Sequence, residues 1–369
     1  MKVLNILSSL SIDQGGPPEV IRNYSSVINK NKKIIVVLKL KSLSLYYLIS
    51  TLFIIKRKNK FIKFIQQFDI IHFHELWNLK ILLISYFANK LGKKTVLIPH
   101  GVLDSWSLKE KFLKKKIYTI LFLNKFLLSL DAIFFSTKDE YYEARKNFKL
   151  PFAFIIPNGI NLRKFKKNIE VKNDNRVKKK IIFFGRIHKK KGIELLLNSL
   201  KSLPDNFFND FYFEITGPGQ VEYITKIQKI IEKFNLANRV FIKKPKSQNE
   251  KINYLKTASL FILPSFEEAD SIALKEAMSL SLPVIASEQC RMNIIKEETA
   301  GFIVKTESNS IKNKLLCLKE VDLQHMGNNS RKVIEDYFDN EKCVKKLSNI
   351  YEDLLTGCHN SKAWINLND

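Results

Sequence analysis

The chain reads as an α/β protein of two domains, each built on an open parallel sheet. Three observations predict this. Short continuous apolar runs recur along the 369 residues, each closed by turn residues and separated from the next by a helical period. The pattern stops at a polar, Lys- and Asn-rich segment over 162–180 and then begins again, as two domains joined by a linker would. Hydrophobic residues make up 45% of the chain and charged residues 27%, enough apolar surface for packed cores.

The first run, residues 3–7, ends at Ser8-Ser9. A Gly15-Gly16-Pro17-Pro18 turn and a helix from Glu19 follow. Further strands are predicted at 34–38 and at 69–73, the latter followed by His74 and Glu75. Next comes 95–98, closed by Pro99-His100-Gly101, then 132–135, then 153–156, closed by Pro157-Asn158-Gly159. After the linker, 181–184 ends at Gly185-Arg186 and 212–216 at Gly217-Pro218-Gly219. Strands at 240–242, 260–263, 284–286 and 302–304 complete the second sheet. The expected division is an N-terminal domain over 1–165, a C-terminal domain over 175–340, and a helix and tail over 341–369 returning towards the first domain.

Lys and Arg number 62 against 36 Asp and Glu, a net charge of +26. The first 150 residues hold 26 of those bases and 10 of the acids, so most of the excess lies there. Such an excess points to anionic partners such as phosphate ligands or anionic lipid, or else reflects a lysine-rich composition that solvates helices. A nucleic-acid-binding reading lacks a zinc finger, a helix-turn-helix or a basic strand pair studded with aromatics. The four cysteines form no C-x-x-C pair, which fits a reducing compartment and speaks against a zinc site. The N-terminal apolar run is short for a signal peptide. The apolar stretch 43–55, followed by a basic KRKNK, is too short to span a bilayer, and reads as a core helix or one lying in the membrane interface.

Ligands of open parallel sheets bind at the carboxyl ends of the strands, so the informative residues follow each run. Gly15-Gly16 lets backbone approach a phosphate at a helix start, or forms a plain turn. Arg186 and Lys191 bring a fork-shaped and a point cation to one strand end, suited to a diphosphate or to a solvated basic loop. In PSFEEADSIALKEAMSLSLPVIAS, a helix is predicted from about Ser271 through Met278. The backbone N–H groups near Ser271, Ile272 and Ala273 are its open donors. Glu268 precedes that helix and Glu276 lies inside it. Glu276 is a candidate acceptor for a ribose diol, and Glu268 for a sugar. The bland counterpart is a capped surface helix with ordinary carboxylates. His100 is a candidate phosphate or sugar contact. His72 and His74 share one strand face at metal-compatible spacing, for which a packing and supporting role is preferred. Asn158-Gly159 reads as an interdomain turn that meets the acceptor.

These segments together resemble glycosyltransferase family 4, the retaining group with the GT-B fold of two Rossmann-like domains facing across a cleft. The matches run in order from the first strand to about residue 305. They comprise the Gly15-Gly16 loop, His100-Gly101 with its basic helix, IPNGI, FFGRIHKKKGIELLL, and Glu268 and Glu276 as an E-x7-E pair with EAM and PVIAS behind. The resemblance implies roles. Arg186 and Lys191 hold the donor diphosphate, and Glu276 the ribose. Glu268 contacts the transferred sugar, Gly16 packs on the diphosphate, and His100 lies near the reacting centre. Ser271, Ile272 and Ala273 complete the donor side, with His74 and Asn158 on the acceptor side.

It further implies a metal-independent, retaining hexosyltransferase without cofactor. The donor is a nucleotide-diphosphate sugar and the acceptor a saccharide or lipid-linked saccharide. The setting is cell-surface polysaccharide or lipopolysaccharide assembly in the cytoplasm; the basic first half and the 43–60 stretch add the inner membrane face, an anionic surface, as a further partner. A nucleotide-sugar epimerase or sugar phosphorylase on the same architecture is the alternative. Three departures stand out. Ala269-Asp270-Ser271 replaces the family's usual Gly-Phe-Gly, Lys243-Lys244-Pro245 stands where the family often has Gly after its strand, and Ser279-Leu280-Ser281 replaces small Ala-Cys-Gly.

Overall fold

The structure is a computed structural model that describes residues 1–8, 16–28, 34–39, 60–109, 111–165 and 178–357. The chain divides into two compact units, 1–159 with 340–369, and 160–339. The first unit runs β1 (Lys2–Leu7), α1 (Gly16–Ile28), β2 (Ile34–Lys39), α2 (Lys60–Gln66), β3 (Ile70–Phe73), α3 (Leu79–Lys90) and β4 (Lys94–Leu97). Helices α4 (Ser105–Lys109), α5 (Phe112–Tyr118) and α6 (Asn124–Leu128) follow, then β5 (Ala132–Phe135), α7 (Lys138–Asn147) and β6 (Ala153–Ile155). All these strands pair in parallel, in the order β2-β1-β3-β4-β5-β6. Their side chains are buried on both faces where described, which is why each run reads as continuously apolar rather than alternating.

The second unit runs β7 (Lys179–Phe184), α8 (Ile193–Lys201), β8 (Phe211–Thr216), α9 (Val221–Lys233), β9 (Val240–Lys243), α10 (Gln248–Leu255), β10 (Leu260–Leu263) and α11 (Ile272–Ser279). It continues with β11 (Val284–Ser287), α12 (Ile294–Glu297), β12 (Gly301–Val304), α13 (Ser308–Leu316) and α14 (Leu323–Tyr337). Its sheet is also parallel, ordered β12-β11-β10-β7-β8-β9. Phe207, Phe211 and Phe213 stack in its core, with ring centroids 4.8 Å apart for the first two. The last described helix, α15 (Asn340–Thr356), packs in the first unit, where Tyr351 lies edge-on to His72 and Phe134.

Each sheet has one switch point, where the strand order reverses and two neighbouring loops part to opposite faces. In the first unit it lies between β1 and β3, and in the second between β7 and β10. The loops leaving those strands are where a ligand crevice is expected.

Strand positions agree with the expected runs to within two residues. The first helix does not. It begins at Gly16 rather than Glu19, because Pro17 and Pro18 open the first turn instead of forming a turn before it. The first-turn N–H groups have no helical partner, so proline costs little there. The apolar stretch 43–55, Gly15 and most of the expected linker lie outside the described residues.

One departure from the family pattern has a local explanation. Ser281 follows α11 at φ 60°, in the left-handed region, where glycine carries no steric cost. Its buried hydroxyl finds no hydrogen-bond partner among the described residues. Ser281→Gly removes both penalties, and we expect stability to rise by about 1 kcal/mol in denaturant unfolding. A loss of stability would show that the hydroxyl is used.

Candidate active site

In the second unit the site is assembled by two loops that meet at the switch point. Beyond β7 and β8 the backbone stays paired. Gly185 N–H donates to Thr216 C=O (3.1 Å) and Ile187 N–H to Pro218 C=O (2.7 Å). Gly217, at φ 151°, makes room for this, since a Cβ there would sit 1.8 Å from the Gly185 oxygen. Arg186 is thereby held between two paired residues. Its guanidinium is exposed and forms no ion pair or hydrogen bond among the described residues.

A single turn, Lys189–Lys191, then leads to Gly192, which starts α8 at φ 68°. A Cβ on Gly192 would lie 1.9 Å from the Pro264 oxygen. Only glycine permits both that backbone angle and that approach, so the β7 loop can lie directly on the β10 loop. Phe266 N–H donates to Lys190 C=O (2.8 Å), fixing the contact. Two successive ion pairs span it. Lys190 meets Glu267 at 2.6 Å, and Lys191 meets Glu268. Glu268 also accepts from Ser265 Oγ (2.6 Å), and its own N–H donates to Gln289 C=O (3.0 Å). Burial pushes the Glu268 carboxyl up, but Lys191 and Ser265 outweigh it and hold its pKa below the usual value, so it is an anion at neutral pH. Burial and the nearby Glu268 charge push the Cys290 thiol up to about 12, which keeps it protonated.

The same loop runs into α11. Ser271 caps it, accepting from Leu274 N–H (3.4 Å), which leaves the Ile272 and Ala273 N–H groups as its open donors. Asp270 is drawn away from the loop's exposed side by fully buried Lys275 (2.6 Å), whose ammonium also lies 3.9 Å from the Phe338 ring centre. Glu276 is buried and its Oε1 binds Lys251 of α10. A capping box of Ser247 and Glu250 sets the start of α10 and so places Lys251.

In the first unit the switch point is lined by neutral imidazoles. His74 Nε2 lies 2.8 Å from Asn5 Oδ1, so that nitrogen carries the proton. Its Nδ1 then accepts from His100 Nε2–H at 3.1 Å, which leaves His100 Nδ1 as an acceptor. His72 stacks on His74, with ring centres 4.4 Å apart, and binds the Tyr351 hydroxyl through Nδ1. Burial lowers all three imidazole pKa values, to about 3 for His72 and His100 and well below the ordinary value for His74. Half-buried His100 sits at φ 53° in the left-handed region. The turn is held by Glu140, whose carboxylate accepts from Gly101 N–H (2.6 Å) and Ser136 N–H (2.8 Å). Buried Asn158 joins the same network, donating to Ser136 Oγ at 3.3 Å. Beside it, Glu75 accepts from Ser8 N–H (2.7 Å) and the Ser8 hydroxyl, tying the loop after β1 to the loop after β3.

The expected residues are thus partly gathered. Lys191 and Glu268 touch, and Ser271, Ile272, Ala273 and Glu276 continue from the same loop. Arg186 precedes Lys191 on the β7 loop and forms no hydrogen bond or ion pair with them. His74 and His100 touch, Asn158 is linked to their turn through Ser136 and Glu140, Gly16 opens α1, and Gly15 lies outside the described residues. Sequence reasoning missed Asn5, Glu140, Lys251 and the Lys190–Glu267 pair. Glu140 was hidden because Thr137-x-x-Glu140 has the spacing of a capping box, which accounts for the glutamate locally.

Residues 15–164 match the family model Glycosyltransferase Family 4, and residues 164–333 match Glycosyl transferases group 1. The chain belongs to the group 1, family 4-like glycosyltransferases. This glycosyltransferase is 30% identical over 217 residues to the UDP-Gal:alpha-D-GlcNAc-diphosphoundecaprenol alpha-1,3-galactosyltransferase of Escherichia coli, covering 54% of each chain. It is 27% identical to an uncharacterized glycosyltransferase of Methanocaldococcus jannaschii, over 47% of this chain and 48% of that one. It therefore spans about half the length of these relatives. Among solved structures, sucrose-phosphate synthase from Thermosynechococcus elongatus superposes with a TM-score of 0.76 at 16% identity, over 96% of this chain and 99% of that one. Anabaena HepE in complex with UDP-glucose gives 0.74 at 14%, over 96% and 100%. The fold of this glycosyltransferase is GT-B.

Two outcomes test the site's architecture. Gly192→Ala forces a side chain onto the Pro264 carbonyl, so the two loops must part. We expect a loss of about 3 kcal/mol or more in urea unfolding, and a variant as stable as the parent would mean that the contact is slack. His72 titrates near 6.5 when unfolded and about 3 when folded. Above the unfolded value its contribution to stability is complete. As pH falls from there towards about 3, only the unfolded chain takes up the proton, and stability drops by up to about 1.4 kcal/mol per pH unit from this group. Unfolding measured at neutral pH and about two units lower reads the slope. His72→Asn should remove this group's share of the slope and leave that of His74 and His100, and an unaltered slope rejects the assignment.

Proposed function

We propose that this chain transfers a hexosyl group from a nucleotide-diphosphate sugar to a saccharide or lipid-linked saccharide acceptor, with retention of anomeric configuration. The observation that carries the reading is the switch-point assembly in the second unit. There an exposed guanidinium, Arg186, and a Glu-bound ammonium, Lys191, follow one strand, and the open donors of α11 follow the next. These are three kinds of group that stabilise a diphosphate: a fork-shaped cation, a point cation and a helix start.

In the reaction the bond from the anomeric carbon to the β-phosphate oxygen breaks, and the acceptor oxygen forms a new bond on the same face. The acceptor proton leaves with the departing diphosphate. Negative charge grows on that diphosphate, and Arg186, Lys191 and the Ile272 and Ala273 N–H groups are the donors suited to meet it. This cationic set supplies the charge stabilisation that a divalent ion supplies in other transferases, so the reading requires no metal. Glu268, kept ionised by Lys191, accepts from hydroxyls of the transferred sugar. Glu276, oriented by Lys251, accepts from the ribose. In the first unit His100, with its neutral ring fixed by His74 and Asn5, is the contact near the reacting centre, and Asn158 is on the acceptor side.

The Escherichia coli relative's name specifies a UDP-galactose donor and a diphosphoundecaprenol-linked acceptor, and HepE was solved with UDP-glucose. Relatives named for amylovoran and capsular polysaccharide biosynthesis support a role in surface polysaccharide assembly. Among the described residues Cys290, Cys317 and Cys343 form no disulfide; the reading places the reaction in the cytoplasm.

Combined replacement Arg186→Ala and Lys191→Ala should lower turnover of the accepted nucleotide sugar by roughly 100-fold or more, since one such contact is typically worth ~10²–10³. Circular dichroism should be unchanged. Full turnover in the double variant sinks the proposed site. Turnover that requires no acceptor, or that consumes free phosphate, sinks the transferase reading in favour of an epimerase or a phosphorylase.

A further inference from the structure

Lys251 is an ammonium that the second unit buries without meeting its full demand for acceptors. It lies in α10, is 7% exposed, and its Nζ binds Glu276 Oε1 of α11. That oxygen is its one acceptor among the described residues, whereas a lysine ammonium carries three N–H donors. The remaining donors are open where water is nearly excluded, which costs free energy unless an acceptor arrives. The helix cannot turn them away. The Ser247–Glu250 capping box fixes its first turn, and near its end the Tyr254 hydroxyl donates to Glu214 Oε2 (2.7 Å), which Lys180 also binds (3.1 Å). Glu276 is four residues beyond Ile272, so it lies one turn, about 6 Å, along α11 from that helix's open N–H donors and on the same face. Its side chain leans back towards them.

We propose that Lys251 binds the donor's ribose directly, and that the site therefore takes ribonucleotide sugars and rejects deoxyribonucleotide ones. This rests on the donor reading of α11 given above. A hydroxyl is both donor and acceptor, and the ion pair offers both complements. A ribose hydroxyl that donates to Glu276 turns its lone pairs to the Lys251 N–H groups. The adjacent hydroxyls at C2′ and C3′ together match the open donors. A hydrogen in place of the C2′ hydroxyl leaves one of these donors buried and unmet. A site built around a hydroxyl discriminates against the analogue that lacks it for that reason. A purely structural lysine would join α10 to α11 and be indifferent to the sugar.

Isothermal titration of the full chain with UDP, GDP, ADP and CDP, each beside its 2′-deoxy counterpart, tests this without turnover. The ribonucleotide that binds should do so at least roughly tenfold more tightly than its deoxy form. Lys251→Met should weaken its binding by roughly tenfold or more, and bring the two forms to within about threefold of each other. That variant leaves a carboxylate buried without its ammonium. Lys251→Met with Glu276→Gln leaves no charge behind, and decides the matter if the single variant fails to fold. It should lose the discrimination likewise. A variant that unfolds more easily but keeps the parent's ratio marks a structural lysine and overturns the proposal. A parent that binds a ribonucleotide and its deoxy form equally well also overturns it, while the transferase reading stands. A parent that binds none of these nucleotides sinks the donor reading and the proposal with it.

Discussion

At Gly192 the loop after β7 lies on the loop after β10, with the Pro264 carbonyl filling the space a side chain would need. The site in the second unit depends on that contact. It brings two lysines of one loop onto two glutamates of the other, Lys190 to Glu267 and Lys191 to Glu268. Taking either member from water alone would be costly, and pairing offsets much of that cost. Removing a lysine would leave its glutamate largely buried and uncompensated. The loops are thus held by backbone contact and by charge together, and α11 begins where they end.

The two units solve the same placement problem by different means. In the second, buried carboxylates meet buried ammoniums: Lys275 with Asp270, Lys251 with Glu276, Lys180 with Glu214. In the first, the switch point is filled by three neutral imidazoles in a line. They cannot share that space as cations, because burial and mutual repulsion both disfavour the charged form. Hydrogen bonds to Asn5 and Tyr351 then set the proton positions that charge would otherwise dictate. The strained backbone at His100 survives because Glu140 binds the next N–H and His74 binds the ring. The helical surface over 111–128 differs from both. Its lysines and many of its apolar side chains face water.

The strand runs were legible because a parallel sheet buried on both faces demands continuous apolar residues, and that demand leaves its mark at every strand. Arg186, Lys191, Glu268, Ser271 and Glu276 were legible because they follow strand ends, where ligands of such sheets bind. The sequence alone thus determined two parallel sheets, their order along the chain, and the chemical types gathered at each strand end. It also carried the family resemblance that the comparisons bear out.

Tertiary structure decided which of those residues meet. Lys191 finds Glu268 from 77 positions away, and Lys251 finds Glu276 from 25. Nothing local specifies these pairs, because they are set by sheet order and by the depth of each loop. The same holds for Glu140, whose carboxylate binds the Gly101 N–H from 39 positions away. The apolar face over 111–128 could not be separated from core in one dimension either. Leu113 and Leu127 have the same side chain, and only packing against the sheet leaves one at 73% exposure and buries the other completely.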